Sequence, residues 1–170
     1  AGGGLLVGRR GHADRPRGAG PLARPGGGDV GELARPRLAA RQVGDDPGFR
    51  PVAAGAAMAN SNITVMASAG DGATMSEGIH HLIHAIRCNY NITFLLHNNS
   101  NYGLTKGQAS ATTRQDVPMS ISPDGVTADT LHVLELVFSL QPTFVARGFS
   151  GDVNQLTGII KKGLQHPGFS

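Results

Sequence analysis

The sequence predicts an α/β fold built on a parallel sheet, and three observations point to it. Two near-continuous apolar runs, "NITVMASA" (62–69) and "NITFLLHN" (91–98), read as strands, the second covered on both faces. Between them, residues 74–89 place Met75, Ile79, Leu82, Ile83 and Ile86 at helical spacing. Strand and helix then go on alternating to the end of the chain, the pattern of parallel pairing through crossover connections.

The elements follow in order. The first strand ends in the turn Gly70-Asp71-Gly72, the helix begins near Thr74, and the second strand ends at the amide pair Asn98-Asn99. Residues 99–127, with Gly, Ser, Thr and two prolines, predict a long loop. "TADTLHVLELVFSL" (127–140) reads as a helix, "TFVARG" (143–148) as a strand, and 152–165 as a last amphipathic helix.

Residues 1–49 do not share this order. They are dominated by Gly, Arg, Ala and Pro, and their few apolar residues hold neither a strand nor a helix period for long. Such a segment buries too little surface to offset its chain entropy. It reads either as a disordered arm or as a mistranslated stretch, since these four residue types are what GC-rich DNA encodes in a wrong frame. The domain proper spans 50–170. Nine Arg and five acids fall in residues 1–50, against six Lys/Arg and seven acids in 51–170. The net charge of +3 therefore belongs to the leader. No aromatic residues interleave its arginines, so a nucleic-acid partner is not expected, and five acids without a serine speak against a transit peptide. No apolar run approaches the roughly 18 residues of a membrane span. One cysteine, Cys88, excludes an internal disulfide or CxxC site, and a cytoplasmic setting is expected.

The chemistry gathers at the strand ends. Ligands of such sheets sit beyond the carboxyl ends of strands. Asp71 follows one strand and Asn98-Asn99 the next, about one crossover helix apart. A carboxylate, an amide oxygen and a backbone carbonyl form an all-oxygen donor set suited to Mg²⁺, which completes its shell with phosphate oxygens. Gly70 and Gly72 allow close backbone approach to a phosphate, and the helix after them offers free N–H groups. The spacing thus points to a Mg²⁺-bridged diphosphate.

Gly-Asp-Gly followed after about 25 residues by Asn-Asn is similar to the thiamine diphosphate fingerprint. The longer strings "HLIHAIRCN…NNSNYGLTKGQASATT", "TFVARGFSGD" and "IIKKGLQHPGFS" closely resemble the β subunit of 2-oxoacid:ferredoxin oxidoreductases. The likeness runs from "RPVAAGAAMANSNITV" to the C-terminus, with "YGLTKGQ" its most specific part. It implies a thiamine diphosphate-binding domain, incomplete at both ends. It also implies roles. Asp71, the Asn99 side chain and the Asn101 carbonyl are expected to bind Mg²⁺. Gly70, Gly72 and Ala73 are expected at the diphosphate, and Tyr102, Gly103, Leu104 and Thr105 over the cofactor. Leu104 and Lys106 fall nearest the 2-oxoacid, whose carboxylate a cationic Lys106 attracts.

The implied reaction is oxidative decarboxylation of a 2-oxoacid, with coenzyme A taking the acyl group and ferredoxin the electrons. The glutamate that activates the cofactor is expected on an α subunit, so no catalytic residue is assigned in this chain. Three departures stand out. Ala73 and "SEGIHH" (76–81) replace the family's "GDGD…IGGNH" pattern. The leader lacks the cysteines that hold an iron–sulfur cluster in many members, and Cys88 alone cannot hold one. The chain also stops at Ser170, where the family continues into another strand. A non-oxidative thiamine diphosphate decarboxylase subunit, or a non-catalytic truncated or mistranslated chain, are the alternatives. His80 and His84 form an i, i+4 pair without a third zinc ligand at sensible spacing, and Glu77 reads as a helix-dipole residue.

Overall fold

The computed structural model describes residues 37–41, 49–105 and 107–170. Three parallel strands lie in the order β1 (Arg37–Arg41), β2 (Thr64–Gly70), β3 (Ile92–His97). Helix α1 (Phe49–Ala59) joins β1 to β2, and α2 (Ile79–Cys88) joins β2 to β3. Helices α3 (Val133–Ser139) and α4 (Val153–Gln165) follow the long loop. The parallel sheet read from the sequence is therefore present. Two elements were not legible. Strand β1 falls inside the leader, where no regular structure is expected, and pairs Arg37 to Thr64 through Arg41 to Ser68. Helix α1 gave no periodic signal, because its sequence, "FRPVAAGAAMA", is mostly alanine and glycine. The rest of the leader lies outside the described residues, as does Lys106.

One face of the sheet is the core. Alternate residues of β2, Val65, Ala67 and Ala69, are buried. Val65 and Ala67 join Ile92, Ala53 of α1, Met75, and Leu82, Ala85 and Ile86 of α2 in one apolar cluster. The i, i+3, i+4 spacing of Leu82, Ala85 and Ile86 sets α2 on that face. An Asn at its end, Asn89, takes the left-handed conformation (φ 51°) and returns its N–H to Ala85 and Ile86 carbonyls, which stops the helix.

The opposite face carries α4. Asp152 caps its start by accepting from Gln155 N–H at 2.9 Å. Gly163 passes so close to the sheet that a Cβ there would sit 3.2 Å from Thr93 Cγ2. Helix α3 is shorter than the sequence predicts. Residues 129–131 instead tie to the loop: Thr130 Oγ1 donates to Thr113 O (3.0 Å) and Leu131 N to Ala111 O (2.8 Å). None of the helix's residues is fully buried.

The strand expected over 143–148 does not form. A strand exists only through a neighbour's backbone, and here Ser170, not this segment, bonds β3. Ser170 donates to Ile92 O (3.0 Å) and accepts from Phe94 N (2.7 Å). Beyond Ser170 an apolar groove of about 490 Å³ opens between Phe94 and Leu96 on one side and Phe144 and Ala146 on the other. Among the described residues no helix is long and apolar enough to cross a membrane.

Candidate functional site at the strand ends

The register fixes the geometry of the site. Gly70, the last residue of β2, pairs with His97, the last of β3. Asp71 and Asn98 therefore leave the sheet side by side on one edge. After Asp71 the chain enters a π-helical turn, Gly72–Glu77, closed by Gly78 N–H on Ala73 O at 3.0 Å. Residues 71–75 are all buried.

Asp71 is only 1% exposed, and its hydrogen-bond partners among the described residues are all neutral. Ser110 Oγ and Thr112 Oγ1 both donate to Oδ2, each at 2.5 Å. Oδ1 receives one long contact, the Asn99 N–H at 3.4 Å. A buried carboxylate without a cationic neighbour is costly unless a cation joins it.

The asparagines beside it serve two purposes. Asn98 Oδ1 accepts from Ser100 N–H (3.0 Å), turning the chain at the end of β3. Asn99 Oδ1 accepts from Asn101 N–H at 3.1 Å. Asn101 Oδ1 and Thr74 Oγ1 are buried oxygens with no hydrogen-bond partner among the described residues. The donors at this edge are thus oxygens, one of them charged and one unpartnered, which fits a hard cation such as Mg²⁺.

The loop expected over the cofactor is anchored at both ends. Tyr102 N–H donates to Gln108 O at 3.0 Å, and Gly107 N–H to Tyr102 O at 3.2 Å. The Tyr102 ring lies against Gly72, and its hydroxyl donates to Glu77 Oε1 at 3.4 Å. Glu77, read from sequence as a dipole residue, is therefore a contact of this loop. Gly103, Leu104 and Thr105 are exposed at the tip, Leu104 to 81%. Thr105 Oγ1 caps the turn on Tyr102 O at 3.3 Å.

The structure thus gathers Gly70, Asp71, Gly72, Ala73, Asn99, Asn101 and Tyr102 at one edge of the sheet. It also adds residues the motifs do not name. Ser110, Thr112 and Thr113 are buried to 6%, 5% and 3% exposure and link the loop to Asp71 and to the end of β3. The one sequence signal was the hydroxyl run "SATT" (110–113), a density of donors unusual for a solvated loop. Cys88 is exposed, with its sulfur 3.5 Å from His84 Nε2.

Comparison with known proteins agrees with this arrangement. The family model described as "Thiamine pyrophosphate enzyme, C-terminal TPP binding domain" matches residues 49–170. A 2-oxoacid:ferredoxin oxidoreductase subunit beta of Saccharolobus solfataricus is 39% identical over 118 residues, 69% of this chain and 39% of that protein. A 2-oxoglutarate oxidoreductase subunit KorB of Mycobacterium tuberculosis is 39% identical over 117 residues, 69% of this chain and 31% of that protein. Among solved structures, a 2-oxoglutarate:ferredoxin oxidoreductase from Magnetococcus marinus matches with a TM-score of 0.65 at 29% identity. The match covers 73% of this chain and 43% of that one. The chain spans less than half the length of these relatives. The likeness first read from "YGLTKGQ" and its flanking strings is thus found in known β subunits, and the chain belongs to the thiamine pyrophosphate enzymes through a C-terminal TPP-binding domain over residues 49–170.

Proposed function

We propose that this chain forms the diphosphate-binding part of a 2-oxoacid:ferredoxin oxidoreductase β subunit. In this reading it holds thiamine diphosphate through Mg²⁺, and an α subunit supplies the activating glutamate. The assembled complex converts a 2-oxoacid and coenzyme A to acyl-CoA and CO₂ and passes electrons to ferredoxin. One observation carries the reading: Asp71 is a buried carboxylate with neutral partners, its Oδ1 almost bare, beside Asn99 and Asn101 at the same strand edge.

Asp71, Asn99 and Asn101 would hold the cation. The backbone at Gly70, Gly72 and Ala73 would meet the diphosphate; Gly72 and Ala73 open the π-helical turn and are buried, Gly72 against the Tyr102 ring. Bound thiamine diphosphate supplies the carbanion and the electron sink of the decarboxylation. The chain's own part is to position that group and to shield it. Tyr102 fixes the loop on the turn and leaves Leu104 and Thr105 at its exposed tip, and in this reading Leu104 and Lys106 would meet the 2-oxoacid.

The decisive experiment is Mg²⁺-dependent thiamine diphosphate binding by the complex with its α partner, for the wild type and for Asp71→Asn. Binding that requires Mg²⁺ and is lost in the variant is expected. Cofactor affinity unchanged by Asp71→Asn would sink the proposal. In the same complex, acceptor reduction that depends on coenzyme A is expected, and aldehyde release without it would instead mark a non-oxidative decarboxylase.

A further inference from the structure

We propose that Ser110 and Thr112 are positioning residues for the divalent cation, holding the Asp71 carboxylate so that Oδ1, not Oδ2, is presented to the end of β3. The inference rests on the cofactor reading above and adds to it a segment outside the Gly-Asp-Gly and Asn-Asn motifs.

The hydrogen-bond inventory carries the argument. A hydroxyl has a single proton to give. Thr112 Oγ1 lies 2.5 Å from Asp71 Oδ2, against 3.1 Å from both Asn98 Oδ1 and Ser110 Oγ. A short bond to a charged oxygen outcompetes longer neutral ones, so its proton goes to Asp71. Ser110 Oγ, also 2.5 Å from Oδ2, does the same. One carboxylate oxygen then has two charge-assisted donors, and among the described residues the other has only the 3.4 Å contact from Asn99 N–H.

The terminal torsion of an aspartate is broad, so without such donors the carboxylate plane could turn and carry its free oxygen away from the site. Two donors on one oxygen remove that freedom. The donors are themselves fixed. Thr113 Oγ1 donates to Ser100 O at 2.8 Å and accepts from Ser110 N–H, also at 2.8 Å. Ser76 Oγ accepts from Ala111 N–H at 3.1 Å. The segment is thus pinned both to the end of β3 and to the turn after Asp71, and the hydroxyls keep register with the oxygen they orient. Partners of this kind behind a metal ligand commonly govern affinity by about 10–100-fold.

The test uses the complex assembled with the α partner and saturated with thiamine diphosphate. Mn²⁺ is titrated as the probe and read by its electron paramagnetic resonance, for Thr112→Val, Ser110→Ala, Thr112→Ser and Asp71→Asn. Valine keeps the shape of threonine and removes only the donor; circular dichroism and melting verify the fold of each variant. Thr112→Val and Ser110→Ala are expected to weaken Mn²⁺ binding by about 10–100-fold. Thr112→Ser, which restores the hydroxyl, is expected to stay near the wild type. Wild-type affinity in both Thr112→Val and Ser110→Ala, or an equal loss in Thr112→Val and Thr112→Ser, overturns the positioning role. Asp71→Asn separates the two levels of the argument. If it binds Mn²⁺ as the wild type does, the cofactor reading falls as a whole. If it loses the cation while the hydroxyl variants keep it, only the positioning role falls.

Discussion

Helices α2 and α3 are both rich in apolar residues but are buried to different depths, since Val133, Leu136 and Val137 of α3 pack on the same cluster only half-buried. Helix α2 buries Leu82, Ala85 and Ile86 against the sheet, whereas α3, "VLELVFS", has no fully buried residue and leaves Phe138 45% exposed. The difference lies in what stands opposite each helix. Helix α2 follows the π-helical turn directly from β2, so the crossover itself sets it on Val65 and Ile92. Helix α3 follows a long loop whose hydrogen bonds tie residues 129–131 to 111–115, and it borders the apolar groove beside β3. Hydrophobic residues make a helix cohere with a fold only where the topology supplies a surface to cover.

The largest expected effect tests that contrast. Leu82→Ala removes a side chain 3% exposed in the centre of the cluster and is expected to cost about 2–5 kcal/mol. Phe138→Ala deletes a larger side chain from α3, yet is expected to change stability by only about 0.5 kcal/mol. Urea denaturation of both variants measures the pair. Comparable losses would mean that α3 is packed as firmly as α2, and the contrast would collapse.

The same contrast explains which parts were legible in the sequence. Strands β2 and β3 announced themselves as near-continuous apolar runs. Full burial nevertheless alternates along β2 and in β3 is confined to Ile92 and Thr93, so the two-sided cover expected of β3 is only partial. The spacing of Leu82 and Ile86 marked α2, and the amphipathic pattern of 152–165 marked α4. Helix α1 was invisible because its buried contact is Ala53, a residue too small to stand out in a run of alanines. Strand β1 is set by pairing with β2 and not by its own pattern. For the site, Asp71 and the asparagines were legible because the strand ends fix them locally. Ser110 and Thr112 were not, since a contact across 39 or 41 residues leaves no mark in spacing. The segment 143–148 failed in the other direction: its strand-like composition met no backbone partner.

A second prediction concerns the site side of the comparison, where packing is tight through one close approach. A Cβ on Gly72 would run into Tyr102 Cε1, with Cζ at 2.6 Å and Cδ1 at 2.8 Å on either side of it. Gly72→Ala is therefore expected to cost about 1–3 kcal/mol through overpacking and to displace the Tyr102 ring. If the ring is the obstacle, Gly72→Ala combined with Tyr102→Ala recovers part of that loss relative to the sum of the single variants. Tyr102→Phe, which removes the hydroxyl and with it the contact to Glu77, leaves the clash in place. Strict additivity of Gly72→Ala and Tyr102→Ala in a double-mutant cycle would show that the two residues do not press on one another.

The smallest effect lies at the far end of α4, where charge rather than shape is the variable. His166 sits beside Thr143 Oγ1 at 2.9 Å and near the Phe144 ring at 5.3 Å, and burial lowers its pKa below the ordinary histidine value. As pH falls through about 6.5, the unfolded chain takes up this proton before the folded one. The stability associated with neutral His166 is thus full above that pH and is lost as pH falls through the lowered folded pKa. His166→Gln, which does not titrate, is expected to flatten the decline of stability between neutral and mildly acid pH. The decline is read from urea midpoints across that window in both proteins. An unchanged slope would mean that the imidazole is as free to take a proton in the folded chain as in the unfolded one. The packing of residues 143–144 on the end of α4 would then be looser than that of α2 on the sheet.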